Sequence, residues 1–278
     1  MKPILMTITA LSIVALVMPK ANAIQASDKL QVTSATQLSQ ATAVDISLLA
    51  KTITGFLQSD RYQTESQILM SGKNQGIDFT IYAQVKTIAQ SDGKFRSEIT
   101  FTREGEQPKP PTLVISDGKQ VSIYKPDSKQ YAVTSYDNFG KSDDYFLIGM
   151  SSSLFLQIPN DTRKILARGQ LSDKEILQLI GLTPNLDLKA DQRTVEGESF
   201  YVYNYTASKE GLTFSGFVQP QTATLKQLQI SGKSQGLDIL IAEKILNRTA
   251  NPALTPQTFT FSPPKGAKKV KSLSISPF

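Results

Sequence analysis

The chain has 278 residues, a formal net charge of +6 at neutral pH, and neither histidine nor cysteine. Without histidine it lacks the usual general base, the Ser-His-Asp triad and imidazole metal ligands, and without cysteine it lacks the common zinc sites and disulfide frameworks. The acidic residues are scattered at predicted turns and helix starts, so the sequence predicts no enzyme, no metal site and no cofactor.

Residues 1–23 have the features of a secretory signal peptide. Lys2 precedes an apolar run from Ile4 to Met18, and Ala21-Asn22-Ala23 supplies the small residues of a cleavage site. The run is shorter than the about 20 residues that a membrane-spanning helix needs. We therefore expect cleavage after Ala23 and a soluble protein in the periplasm.

Residues 24–44 are rich in Ser, Thr, Gln and Ala without periodicity, which predicts a flexible leader before a single domain over residues 45–278. Asp45 is a good helix cap, and the apolar spacing after it predicts an amphipathic helix to about Ser59. This helix needs an apolar partner, and the sheet that follows is the candidate.

From Tyr62 onward the pattern changes to the two-residue period of strands. The alternation over residues 77–85 predicts a half-buried strand. Residues 112–136 predict three strands of an antiparallel meander, with one turn at Asp117-Gly118 and another at residues 125–128.

Two helices are predicted in the middle of the chain. Residues 145–156 follow two aspartates, are apolar nearly all round and end before Pro159, so this helix is buried or covers an apolar surface. Ser172 and Glu175 form a capping-box pattern ahead of a second short helix.

Strands resume after Asp191 and end at about residues 259–261. The segments SGKNQGID (71–78) and SGKSQGLD (231–238) are nearly identical. They indicate either a duplication or two similar turns that use glycine for one steric problem, and the few flanking matches favour the second. The basic run near the C-terminus is interpreted as a solvated end, or alternatively as a contact for anionic lipid headgroups; its lysines are Lys265, Lys268, Lys269 and Lys271.

About eleven strands with helices only at the start and in the middle predict a mainly β (α+β) protein built on one large antiparallel sheet. A sheet of this size and curvature closes or half-closes around a space, and the apolar helices are the natural cover for its mouth.

Two segments resemble the periplasmic lipoprotein-carrier (LolA/LolB-like) superfamily. LVISDGKQVSIYKPDSKQY (113–131) resembles its strand–SDGK–strand–Tyr-x-Pro–strand block, and FTFSPPKG (259–266) resembles its closing segment. Three other features lie in the order expected for this superfamily: the N-terminal helix, FLIG (146–149) and the strand pair ending near Asn247. The family's Arg-Pro pair before the third strand has no match, since Gln90-Ser91-Asp92 stands there, and the aromatic after the SDGK turn is replaced by Ser122 or Ile123.

The resemblance implies an unclosed, strongly curved β-barrel whose concave apolar face is covered by helices. It implies a non-catalytic carrier or chaperone for the acyl chains of a lipid or lipoprotein, with a membrane protein as donor or acceptor. The alternative is a periplasmic sensor that binds a membrane protein, as in relatives that regulate sigma factors. We expect a monomer that does not bind nucleic acid.

The candidate site residues are apolar positions of the predicted strands and of the mid-chain helix. For the cavity they are Phe79, Ile81, Leu113, Ile115, Val121, Ile123, Phe214 and Ile239, and for the lid they are Phe146, Met150 and Leu154.

Overall fold

The computed structural model describes residues 43–76, 78–102, 110–169, 171–179, 188–207, 211–234 and 236–276. The predicted signal peptide and all but the last two residues of the predicted leader lie outside the described residues.

Short helices at the start and in the middle of the chain accompany twelve strands. The helices are α1 (Ile46–Leu57), α2 (Tyr136–Gly140), α3 (Met150–Gln157), α4 (Asn160–Ala167) and α5 (Asp173–Leu179), with a 3-10 turn at Tyr145–Ile148. The strands are β1 (Arg61–Lys73), β2 (Asp78–Gln90), β3 (Lys94–Thr102), β4 (Thr112–Asp117), β5 (Gln120–Lys125), β6 (Gln130–Ser135), β7 (Leu188–Val195), β8 (Glu198–Ala207), β9 (Leu212–Gln219), β10 (Thr224–Ser234), β11 (Leu237–Ala250) and β12 (Lys268–Lys269). Among the described helices, none is long and apolar enough to cross a membrane.

All twelve strands belong to one sheet, in the order β12-β6-β5-β4-β3-β2-β1-β11-β10-β9-β8-β7. Every neighbouring pair is antiparallel except β12, which runs parallel to β6. The first and last strands of the order do not pair with each other, so the sheet is not closed. The predicted fold class, a mainly β protein on one large unclosed sheet, is confirmed, with one strand more than the expected number.

One face of the sheet is covered by the helices, and we call it the inner face. Thr87 on β2 identifies it, since its hydroxyl donates to the carbonyl of Ile148, at the end of the 3-10 turn, at 2.7 Å. The strand register then places one row of inner-facing side chains across five strands: Ile123, Val114, Ser97, Thr87 and Thr64.

The register determines which residues of β4 lie on the inner face. Ser116 pairs with Val121 and Val114 pairs with Ile123, so even positions of β4 share a face with odd positions of β5. Leu113 and Ile115 therefore lie on the outer face, away from Val121 and Ile123. The prediction that Leu113 and Ile115 line the same cavity as Val121 and Ile123 is therefore wrong, because the alternation within each strand does not reveal how two strands are aligned.

Helix α1 is attached to the sheet by tyrosines of β8. The Asp45 side chain caps the helix by accepting from the N–H of Leu48 at 2.9 Å, as predicted. The hydroxyl of Tyr203 donates to the Asp45 carbonyl at 2.7 Å, while the Tyr201 hydroxyl accepts from the Asp45 N–H at 3.0 Å and donates to the Ala43 carbonyl. The start of α1 is thereby held by hydrogen bonds that are distant in sequence.

The C-terminal segment wraps around the β6 edge of the sheet. The predicted strand at residues 259–261 is wrong, because residues 255–260 form turns in which Thr260 N–H donates to the Gln257 carbonyl at 3.1 Å. Phe261 packs on the outer face against Tyr131, with ring centroids 5.5 Å apart. Beyond β12, Ile275 is fully buried in the core. The basic run is therefore not a free end, since two of its lysines form β12.

We expect Ile275→Ala to lower the free energy of unfolding by about 2–5 kcal/mol, because a fully buried side chain is replaced by a cavity. Leu246→Ala is the matched control, since Leu246 is 53% exposed, and it should change that free energy by about 0.5 kcal/mol or less. Urea unfolding of both variants measures the difference. Equal small effects would mean that the C-terminal segment does not contribute to the core.

Candidate ligand-binding face

The inner face has two parts along the direction of the strands. At one end, which we call the helix end, it is filled by the packed helices. At the other end, which we call the hairpin end, lie the turns of the β1–β2 and β10–β11 hairpins. The two ends differ in how far their apolar side chains are buried.

At the helix end, α3 packs closely on the sheet. Phe155 of α3 is fully buried and meets Tyr62 of β1 edge to face, with ring centroids 5.2 Å apart. Of the predicted lid residues, Met150 is buried, while Phe146 and Leu154 are half-buried and pack against the same core. All three thus belong to the core or contact it, and their movement as a lid stays a prediction.

Glu243 of β11 fixes the start of α3. Its side chain is fully buried on the inner face. One carboxyl oxygen accepts from the backbone N–H of Ser151 at 2.6 Å, and the other accepts from the Ser151 hydroxyl at 2.9 Å. The first N–H groups of a helix have no hydrogen-bond partner within the helix, and the helix dipole favours a negatively charged group near them. The Glu243 carboxyl accepts from one of these N–H groups and lies at this end of α3.

Gly149 allows the Glu243 carboxyl to lie close to the start of α3. It also divides the single helix predicted over residues 145–156. Its φ is +96°, and a Cβ there would lie 2.9 Å from a carboxyl oxygen of Glu243. Only glycine combines that backbone conformation with that proximity. The 3-10 turn therefore ends at Ile148 and α3 starts anew at Met150.

Burial raises the pKa of the Glu243 carboxyl above its ordinary value of 4.5. Hydrogen bonds from Ser151 and Ser66 and the charge of Arg248 act in the opposite direction, without reversing the effect of burial. The folded chain therefore binds the Glu243 proton more tightly than the unfolded chain does.

Two arginines complete the attachment of the cover. Arg163 of α4 donates to the Phe155 carbonyl at 2.8 Å and stacks over the Phe155 ring. Arg248 of β11 lies 3.9 Å from the ring centroid of Phe56 of α1, and burial lowers its pKa to about 10, so it stays charged at neutral pH. The cover is thus held by charge and hydrogen bonds as well as by apolar packing.

At the hairpin end the inner face carries large apolar side chains that are only half-buried. The register aligns Phe214, Ile230, Ile241, Met70 and Ile81 in one row across five strands. Phe101 and Leu228 belong to the next row, and Phe79 lies closer to the turn of its hairpin. We call the half-buried members of this set the apolar trough: Met70, Phe79, Phe101, Phe214, Leu228 and Ile230.

The glycines of the two similar segments each admit a close neighbour at the hairpin end. A Cβ on Gly72 would lie 2.5 Å from the ring of Phe79, so the glycine lets that ring lie across β1. A Cβ on Gly232 would lie 2.2 Å from the Gly211 carbonyl oxygen. The two glycines therefore admit different neighbours, an aromatic ring and a backbone carbonyl, so the expectation that both segments use glycine for one steric problem is wrong.

The structure brings together some of the predicted cavity residues and separates others. Phe79 and Phe214 belong to the trough, and Ile81 and Ile239 are buried beside it. Val121 and Ile123 are on the inner face but are buried at the helix end, in the core under the helices. With Leu113 and Ile115 on the outer face, these eight residues do not form one site.

Sequence reasoning missed Met70, Phe101, Leu228, Ile230 and Glu243. The four apolar residues lie in predicted strands, but nothing local indicated which would stay half-exposed. Glu243 had a signal that could have been used: it is acidic and occupies an inward position of an otherwise apolar alternation, Leu237, Ile239, Ile241 and Ile245.

Within the described ranges, no three acidic, histidine or cysteine side chains come together in a way that could hold a metal ion. A cleft of about 320 Å³ lies between α1 and the α4–α5 region, with Lys51 and Asp173 among its lining residues. It is separate from the trough.

Comparison with protein-family models finds no match, and a search of curated proteins finds none either. Solved structures similar to this chain include an uncharacterized conserved protein from Thermus thermophilus (10% identity, 82% of this chain and 100% of that one, TM-score 0.41) and LprF from Mycobacterium bovis (11%, 76% and 95%, TM-score 0.39). A LolA superfamily protein from Nitrosomonas europaea is also similar (9%, 79% and 99%, TM-score 0.31).

One of these three structures carries the name of the superfamily that the two sequence segments resemble. All three TM-scores are below 0.5.

Glu243→Gln should change how stability depends on pH. As pH rises from about 4.5 through the raised pKa of Glu243, the unfolded chain releases this proton first, and the wild type loses the stability that the bound proton contributes. The amide imitates the protonated carboxyl and does not titrate. The free energy of unfolding of the variant relative to the wild type should therefore increase from about pH 4.5 to pH 8.

Urea unfolding over that pH range measures this difference, and Glu198→Gln, at an exposed glutamate, is the control that should run parallel to the wild type. A difference between Glu243→Gln and wild type that does not change with pH would contradict the assignment of a buried, proton-binding carboxyl.

Proposed function

We propose that the protein is an exported, non-catalytic carrier or chaperone that binds the acyl chains of a lipid or lipoprotein in the apolar trough. The observation that carries the proposal is the set of six large, half-buried apolar side chains on one face of one sheet, beside a helical cover. Monomeric soluble proteins rarely leave a contiguous apolar surface without a function for it.

The chemistry of the trough fits an acyl chain better than a polar ligand. Its floor is a regular sheet whose backbone groups are paired with neighbouring strands, so few hydrogen-bonding groups remain for a ligand. Methionine, leucine, isoleucine and phenylalanine side chains provide dispersion contacts without fixed directions. Each buried methylene of a ligand would contribute about 0.8 kcal/mol, so affinity would grow with chain length.

The cover suggests how a bound chain would be retained and released. Phe146 and Leu154 are half-buried lid candidates, and α3 is attached to the sheet through Glu243, whose register partner on β10 is the trough residue Leu228. The trough and the attachment point of the cover are therefore adjacent. Movement of α3 would change the space available next to Leu228.

The proposed location is the periplasm, with a membrane protein as donor or acceptor of the ligand, and the proposed state is a monomer.

The alternative function is that of a sensor that binds a membrane protein, because an apolar segment of such a partner could occupy the same trough. Native mass spectrometry of protein purified from its own host separates the two. Co-purified lipid or lipoprotein supports the carrier, whereas an empty protein that captures one membrane protein supports the sensor.

Ile230→Ser should weaken the binding of a fluorescent long-chain fatty acid by about 10-fold or more, because several methylene contacts are lost. Leu113→Ser is the matched control, since Leu113 is also half-buried but lies on the outer face, and it should leave the dissociation constant unchanged. Fluorescence titration measures both constants, and thermal unfolding checks that both variants are folded.

Equal affinities of the two variants, or no saturable binding by the wild type, would contradict binding in the trough.

A further inference from the structure

Five lysines lie together at the edge of the sheet formed by β6 and β12. All five are exposed, and we call them the basic edge: Lys129, Lys265, Lys268, Lys269 and Lys271. Four of them are in the C-terminal segment, and Lys129 is in the turn between β5 and β6.

The backbone fixes the position of these charges. The N–H of Lys268 donates to the Lys129 carbonyl at 2.8 Å, and the N–H of Val270 donates to the Tyr131 carbonyl at 2.9 Å. Farther along, the N–H of Ile275 donates to the Asp144 carboxylate at 2.7 Å, and its side chain is buried. The lysines therefore project from an anchored strand and not from a loose tail.

The charges of the basic edge are not neutralised within the part of the chain that the structure describes, where none of the five lysines forms an ion pair. Lysines near other turns differ, since Lys73 pairs with Asp78 at 3.1 Å and Lys233 pairs with Asp238 at 3.8 Å. The basic edge thus presents unpaired positive charge to solvent.

The turn that contains Lys129 points toward the hairpin end of the sheet, although the short strands β4 to β6 end before they reach the level of the trough. β6 begins at Gln130, directly after the turn that contains Lys129, and this turn points the same way as the β1–β2 turn, as the antiparallel pairings from β6 to β1 require. Tyr131 of β6, the partner of Lys269, is level with Leu113 of β4 and Glu98 of β3, and Glu98 is three residues along β3 from Phe101 of the trough.

We propose that the basic edge docks the protein on the anionic phospholipid headgroups of a bilayer. This inference rests on the proposed function, to which it adds the surface from which an acyl chain would be taken or to which it would be delivered. Lysine ammonium groups are compact charges on flexible stems, which suits contact with many headgroups without a fixed geometry. Near an anionic bilayer each such residue strengthens binding by about 5-fold.

Vesicle co-sedimentation of the full processed chain tests the proposal. The vesicles are phosphatidylcholine alone, or phosphatidylcholine with about one-third phosphatidylglycerol. The test variant carries Lys265→Gln, Lys268→Gln, Lys269→Gln and Lys271→Gln. The control variant carries the same charge change at four exposed lysines outside the basic edge: Lys51→Gln, Lys119→Gln, Lys141→Gln and Lys174→Gln.

We expect the wild type and the control variant to bind the anionic vesicles, and the test variant to bind them about 100-fold or more weakly. The difference should disappear at about 1 M salt, where the Debye length is about 3 Å. Equal loss in the two variants, equal binding to both kinds of vesicle, or no binding to anionic vesicles would overturn the proposal.

The fatty-acid titration of the same variants separates this outcome from that of the proposed function. The test variant should bind the fluorescent fatty acid like the wild type, because none of its four lysines lies in the trough. Loss of vesicle binding with intact fatty-acid binding thus concerns docking alone, whereas a failure of fatty-acid binding in the wild type concerns the carrier function alone.

Discussion

The contact between Glu243 and the start of α3 is the interaction on which the helical cover depends. An eight-residue helix is too short to be stable alone, and this one starts after a glycine in a left-handed conformation. A carboxyl in an apolar core is costly unless it is hydrogen-bonded, and the N–H and hydroxyl of Ser151 supply those bonds. Helix and carboxyl therefore stabilise each other, and displacement of α3 would leave Glu243 without these partners.

The same carboxyl lies next to the candidate ligand-binding surface, since Leu228 of the trough is its partner on β10. Its other register partner is Ile68 of the filled core. The inner face therefore changes from closely packed to half-exposed at this position, without a change of sheet or domain. The hydrogen bonds between Glu243 and Ser151 require one arrangement of α3, whereas the apolar side chains of the trough make contacts without a fixed direction. Such a division suits a protein that holds a flexible apolar ligand against a cover of defined position.

The fold could be predicted from the sequence because its signals are local. Alternation, turn residues and the Asp45 cap each act within a few residues, and they indicated nearly all the strands and the first helix. The site could be predicted only in part, because its determinants are not local. The face of Leu113 was misjudged because the alignment of β4 with β5 is a property of the pair. β12 was missed because a two-residue strand has no periodicity, and it exists only through hydrogen bonds to β6. The distinction between the half-buried Ile230 and the buried Val121 depends on which segments of the chain cover each of them.

Two methionines allow the most direct test of whether an acyl chain occupies the trough. After residue 23 the chain contains only two methionines, Met70 in the trough and Met150 in the cover. With methyl-labelled methionine, NMR spectra recorded with a nitroxide-labelled fatty acid report on both positions at once. We expect saturable broadening that is stronger at Met70 than at Met150. An unlabelled fatty acid should reverse this broadening. Binding of an acyl chain in the trough is contradicted if Met70 broadens no more than it does with a free nitroxide at the same concentration.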